Sequence, residues 1–175
     1  NQNTMEQLNI VQVNVITLIQ DPNNPALFLY CQGQNKIIPV VIGKPEAQIL
    51  AISLDKTNAH RPMTHNLLQN TITALGGALT QVVIFEVIDN VFYSKICIQV
   101  GNKEIQVDAT PSDALVLAVQ AMKPIFVTDR VIQKVGKENS IGMSAARPQQ
   151  LSPQEIEELK SHLTQAQDRE QTESE

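Results

Sequence analysis

Tryptophan is absent from this chain, and its aromatics amount to Tyr30, Tyr93, Phe28, Phe85, Phe92 and Phe126. Most of these fall inside apolar runs that a core will claim, so stacking platforms for exposed bases are poorly supplied. Cysteine is scarce as well. Cys31 and Cys97 sit on separate apolar runs without CxxC or Cys/His spacing, which excludes the common thiolate metal motifs and reads as two buried free thiols in a reducing compartment. No stretch approaches the roughly 18 consecutive apolar residues that span a bilayer. The polar start from Asn1 to Gln7 has no basic region leading into an apolar one. The expectation is a soluble, cytoplasmic protein that does not engage a membrane.

An excess of positive charge is also missing. Seven of the 18 acidic residues but only two of the 13 Lys and Arg lie from Pro153 onward, so the body is neutral and the net charge of −5 belongs to the tail. That excludes a broadly basic nucleic-acid-binding surface and leaves room only for local clusters of cations. With 175 residues, of which 42% are hydrophobic and 18% charged, the chain has the material for one domain with a substantial core plus an appendage.

The β-branched run from Leu8 to Ile19 reads as a long strand ended by the turn Asp21 to Pro25. Ala26 to Cys31 and Lys36 to Ile42 read as a hairpin, with Pro39 marking an edge or bulged strand. Helical spacing begins at Pro45 and again after Thr64, a candidate N-cap; Gly76 and Gly77 close the second helix. Three strands follow, Ala78 to Ile88, Val91 to Val100 and Lys103 to Val107, joined by tight turns as a meander. Thr110, Pro111 and Asp113 make a helix start ahead of Ala114 to Met122, after which come a short strand, Pro124 to Val127, and a helix opened by Thr128. The resulting organisation is an α+β domain over residues 7–136, a linker over 137–150, an amphipathic acidic helix over 151–168 and a disordered tail over 169–175. The helix carries a second capping box, Ser152 with Glu155, and a narrow stripe of Ile156, Leu159 and Leu163. So narrow a stripe is expected to be helical only when docked on a subunit or a partner protein.

Dinucleotide, phosphate-loop, zincin and nucleophile-elbow signatures are all lacking. Chemistry must therefore come from polar residues at element ends. Arg61, Thr64 and His65 put a cation and an imidazole beside the open N–H groups of a helix start, a setting suited to an anion. The plain alternative is a cap, a surface ion pair and a first-turn histidine. Asp108 and Asp113, five residues apart across a strand-to-helix turn, are candidates for a divalent metal or a general base. Capping and turn hydrogen bonds explain the same two residues without chemistry. Glu46 carries the same ambiguity, since a helix dipole favours a first-turn carboxylate.

Four stretches, Pro39-Val40-Val41-Ile42-Gly43 with Glu46-Ala47, His60-Arg61-Pro62 with Thr64 to Leu68, Asp108 to Ala114, and Pro124 to Val127, resemble in order and spacing the bifunctional nuclease domain family. The resemblance covers about Val11 to Gly136. It implies an α+β fold with a mixed, mostly antiparallel sheet and helices packed against it, self-association, and hydrolysis of DNA and RNA. Carried over, it points to Glu46, Arg61, His65, Asp108, Ser112 and Asp113 as site residues. The chemistry expected of them is His65, Asp108 and Asp113 in catalysis, Arg61 and Ser112 on the substrate, and Asp108, Asp113 and Glu46 holding Mg²⁺ or Mn²⁺. Two positions depart from the family pattern: Asn66 stands where Asp is usual after the histidine, and Thr110 where Arg is usual before the proline. The rival expectation is a noncatalytic oligomeric interaction or regulatory module that uses the same residues as caps and subunit contacts.

Overall fold

The computed structural model describes residues 9–55, 61–140, 142 and 151–172, with side chains of the last stretch described through Leu163. Eight strands form one sheet: β1 (Ile10–Ile19), β2 (Ala26–Cys31), β3 (Lys36–Val41), β4 (Gly77–Ile88), β5 (Val91–Val100), β6 (Lys103–Ala109), β7 (Ile125–Thr128) and β8 (Lys137–Glu138). The helices are α1 (Lys44–Leu54), α2 (Thr64–Ala74), α3 (Pro111–Ala121), α4 (Asp129–Val135) and α5 (Pro153–Thr172). The strand order is β6-β5-β4-β7-β1-β2-β3-β8, and every neighbouring pair is antiparallel except β4 with β7. The fold is therefore α+β with a mixed, mostly antiparallel sheet.

Local chemistry accounts for the hairpins. Asp89 and Asn90 both adopt positive φ, as the tight turn between β4 and β5 demands, and these are the residue types that tolerate it best after glycine. Pro39 sits on β3 opposite Phe28 of β2, and β8 pairs only with Lys36 and Ile37, so the missing proline N–H falls beyond the end of β8.

One face of the sheet packs against α1, α3 and α4 through Leu50, the run Ala114 to Ala118, Val131 and Ile132, which close over Val13, Leu27, Leu29, Ile38, Val82, Ile84 and Ile96. The opposite face, over β1 to β3, receives α5: fully buried Leu159 with Ile156, Leu163 and Leu151 covers Ile19, Ala26, Phe28 and Ile37. The acidic helix thus docks on its own domain, and it runs to Thr172, past the expected end at residue 168. Its capping box forms as the sequence implies, with the Ser152 N–H donating to Glu155 Oε2 at 2.7 Å and the Glu155 N–H to Ser152 Oγ at 3.3 Å.

Other boundaries move. The expected linker starts instead as strand β8, and Asn139, buried, binds Asn35 through its backbone N–H at 3.0 Å and its amide at 3.2 Å. Of the remaining linker, residues 141 and 143–150 lie outside the described residues, as do 173–175 of the tail. Cys31 and Cys97 are free and buried, and burial pushes the Cys31 thiol up to about 11.

Candidate active site

The site is built where two helices begin. Helix α2 starts one residue earlier than a Thr64 cap would place it: Met63 is the N-cap, and its N–H donates to Asn66 Oδ1 at 3.1 Å. The side chain three residues into the helix thereby supplies the cap that Met63 lacks. Helix α3 starts as its sequence implies, with Thr110 at the N-cap and Pro111 behind it. The Thr110 hydroxyl accepts the Asp113 N–H at 3.4 Å and donates to Asp113 Oδ2 at 2.9 Å, and Ser112 Oγ lies 3.3 Å from the same hydroxyl. Buried Ser94 fixes the approach to this turn by donating to the Ala109 carbonyl at 2.6 Å.

His65 and Asp113, 48 residues apart, meet at 2.8 Å between Nε2 and Oδ1. The two ends of this contact have different environments. The histidine side chain is 10% exposed and its Nδ1 is buried without a partner, whereas the aspartate side chain is 51% exposed. An Nε2–H donated to the carboxylate leaves only a lone pair on the orphaned Nδ1, which costs less than burying an unsatisfied donor. This order differs from the expectation that His65 itself moves protons to and from substrate. The imidazole stands behind the carboxylate, and Asp113 is the member that meets solvent.

The other expected residues are placed as follows. Ser112 and Thr110 join the pair, and Arg61 lies exposed two residues before the cap of α2. His60 lies outside the described residues. Asp108 sits opposite Lys95 in the β5–β6 register, and Lys95 bonds Gln106 at 2.7 Å and lies over the Phe85 ring. Its neighbour Ile96 is in the core under the helices, so strand alternation sends Lys95 and Asp108 to the opposite face of the sheet from His65 and Asp113. The Glu46 carboxylate turns back over Gly43, the N-cap of its own helix. Asp108, Asp113 and Glu46 therefore do not gather as one ligand set, and among the described residues no group of three His, Cys, Asp or Glu is poised for a metal. What remains is one exposed carboxylate, a ligand of the kind that holds Mg²⁺ together with substrate phosphates rather than in an all-protein cage.

The structure also assigns work to residues that the sequence reading passed over. Gln120, seven positions after Asp113 on α3, donates to Ser53 Oγ of α1 at 3.0 Å and accepts from the Asn66 amide of α2 at 3.2 Å. It ties three helices together around the site. Its signal was legible as the one polar side chain in the run from Ala114 to Met122. Both departures from the family pattern are thus structurally engaged: Asn66 caps α2 and binds Gln120, and Thr110 caps α3 and holds Asp113.

The model of the bifunctional nuclease domain matches residues 27–140, which contain every residue of the site. The chain belongs to the bifunctional nuclease domain family. The uncharacterized protein Rv1829 of Mycobacterium tuberculosis strain H37Rv is 32% identical over 126 residues, covering 72% of this chain and 75% of the relative. Bifunctional nuclease 1 of Oryza sativa subsp. japonica and the bifunctional nuclease of Oryza minuta are each 27% identical over 118 residues, covering 66% of this chain but 36% of those proteins. Membership agrees with the four motifs, of which the second and third meet in space as the His65–Asp113 contact. Among the described residues, no helix is long and apolar enough to cross a membrane.

Proposed function

We propose that this member of the family is a nuclease that hydrolyses phosphodiester bonds of DNA, RNA or both, with Asp113 as its working carboxylate. The observation that carries the reading is the His65–Asp113 contact, which joins the N-termini of two helices and leaves the carboxylate facing solvent. Helix N-termini favour anions, so the α2 and α3 starts with Arg61 and the Ser112 hydroxyl receive the phosphate. Asp113 takes the proton from the attacking water. His65 and Thr110 hold its two oxygens and are positioning residues, not partners of the substrate. Asp113 is the residue that would hold Mg²⁺ or Mn²⁺, and the ion would supply charge neutralisation at the phosphate.

Asp113→Asn is expected to lower cleavage of single-stranded RNA and DNA by about 10²-fold or more with the fold intact, since general base catalysis is worth about that much. Asp108→Asn, on the other face, is expected to leave cleavage within about threefold of the unmodified protein, within the ordinary spread of single-interaction effects. Chelation should abolish cleavage and Mg²⁺ or Mn²⁺ restore it. A folded protein with no cleavage above blank in either ion, or activity indifferent to Asp113→Asn, would overturn the proposal.

One feature favours the noncatalytic reading: Asn66 and Thr110 replace a carboxylate and a cation by residues whose hydrogen bonds serve the helix ends. In that reading the same pair is a buried polar tie between α2 and α3, and Asp113→Asn changes stability alone.

A further inference from the structure

His65 is held at one nitrogen only. Its Nε2 meets Asp113 Oδ1 at 2.8 Å while its Nδ1 is buried without a partner, so the ring has a single hydrogen bond and cannot fix its own direction. The backbone that carries it must do so. The next residue, Asn66, supplies a second grip of α2 on α3: its Nδ2 donates to Gln120 Oε1 at 3.2 Å. Positions 113 and 120 are seven apart, two helical turns, so they share one face of α3 about 10 Å apart along its axis. From Gln120 the bonding continues. Its Nε2 donates to Ser53 Oγ of α1 at 3.0 Å, and the Ser53 hydroxyl donates to the Ile49 carbonyl at 2.9 Å. At the other end the Met63 N–H donates to Asn66 Oδ1 at 3.1 Å. These four part-buried bonds all run in one sense, from a backbone N–H that can only donate to a backbone carbonyl that can only accept. Turning the Asn66 amide round would set donor against donor at Met63 and acceptor against acceptor at Gln120.

We infer that Gln120 is a positioning residue for Asp113, acting through Asn66 and the first turn of α2. With both grips made, the start of α2 can neither slide along α3 nor pivot on it, and the His65 Nε2–H meets the carboxylate in one place. With the lower grip lost, α2 pivots about the His65–Asp113 contact and that hydrogen bond lengthens or bends. Thr110 restrains the other oxygen of Asp113 but not this one. A displacement of about 1 Å at a reacting group costs as much as about 10²-fold in rate. Residues 66 and 120 are therefore a matched pair: where 66 is Asn, 120 must accept a hydrogen bond, and where 66 is Asp, 120 must donate one. Gln120 presents its oxygen to Asn66, and so this chain carries Asn66 in place of the usual family Asp without losing the grip. The effect on cleavage rests on the nuclease reading; the geometry of the imidazole does not.

The His65 Nε2–H is the readout: a slowly exchanging imidazole proton in the proton–nitrogen correlation NMR spectrum of the full chain, assigned by its loss in His65→Leu. Gln120→Lys sets a donor against the Asn66 amide, and Gln120→Met, similar in size and uncharged, removes the acceptor. Each should speed exchange of that proton by about tenfold or more. Asn66→Asp combined with Gln120→Lys should restore slow exchange, because the carboxylate accepts from the Met63 N–H and from the new ammonium; Asn66→Asp combined with Gln120→Met should not. In cleavage assays Gln120→Lys should lower kcat by about tenfold with KM within about twofold, and the first double variant should recover it. An imidazole proton in fast exchange in the unmodified protein, one indifferent to both substitutions at position 120, or the same loss in both double variants would overturn the proposal. The expected exchange pattern in a protein that cleaves nothing would overturn the nuclease reading alone and uphold the positioning.

Discussion

Replacing Asp113 by alanine removes one carboxylate but disturbs three contacts. Buried His65 loses the partner of its Nε2 while its Nδ1 is already without one, so the ring is left with no hydrogen bond. Leaving a buried polar group unsatisfied costs about 1–3 kcal/mol. The first turn of α3 loses its carboxylate, worth about 0.3–1 kcal/mol against the helix dipole. The Thr110 hydroxyl loses its acceptor but stays exposed and turns to water. The expected destabilisation is about 1–4 kcal/mol, toward the lower end because the carboxylate is half exposed. Asp113→Asn keeps an oxygen for the Nε2–H and should cost less than half as much. Urea unfolding of Asp113→Ala, His65→Leu and the double variant closes the cycle, with an expected coupling of about 1–2 kcal/mol. A coupling under about 0.3 kcal/mol, the ordinary error of additivity, would show that the contact ties nothing together. The contrast with activity is equally specific: His65→Leu should leave a weakened Brønsted pH profile of the same shape if Asp113 is the base, whereas loss of one limb would make the imidazole the titrating catalyst.

Three further outcomes are expected. Glu86 accepts from Lys134 at 2.6 Å, Arg130 at 2.9 Å and the Val87 N–H at 2.8 Å, and these bonds hold its carboxyl at about 2 instead of its ordinary 4.5. Because the folded value is depressed, its stabilisation is complete above about pH 4.5 and lost as pH falls toward 2, so the difference in thermal stability between the unmodified protein and Glu86→Gln should be largest near neutrality and shrink through that window. Leu159→Ala, at the fully buried centre of the α5 contact, should cost about 2–5 kcal/mol locally and speed amide exchange over Glu155 to Leu163 while leaving β4 and β5 protected; uniformly slow exchange would refute the docking. Thr110→Arg, which restores the usual family residue, should cost about 1 kcal/mol in cap and should raise cleavage if a cation there clamps phosphate, and Asn66→Asp should retain the cap from Met63 while obliging the Gln120 amide to turn around; paired melts and cleavage assays of each variant decide.

What the amino-acid sequence determined by itself is what short-range physics settles. Caps, turns and periodicity depend on neighbours within a few residues, so the hairpins, the starts of α3 and α4 at Thr110 and Thr128, and the capping box of Ser152 and Glu155 were legible before any fold was known. The family motifs were legible for the same reason, being short strings at element ends.

Tertiary structure decided the rest, because direction in space is not a local property. Strand alternation says that Asp108 and Ala109 face opposite ways, but which face carries the helices is known only once Ile96 lies under α3, and that is what separates Asp108 from Asp113. A helix periodicity marks α5 as amphipathic without naming the surface it covers; the bare face over Phe28 and Ile37 supplied it within the same chain. The parallel pairing of β4 with β7 requires α3 to cross back over the sheet, and that crossing carries the start of α3 to His65. Burial of the imidazole behind the carboxylate, and so the division of labour between His65 and Asp113, is a consequence of that packing.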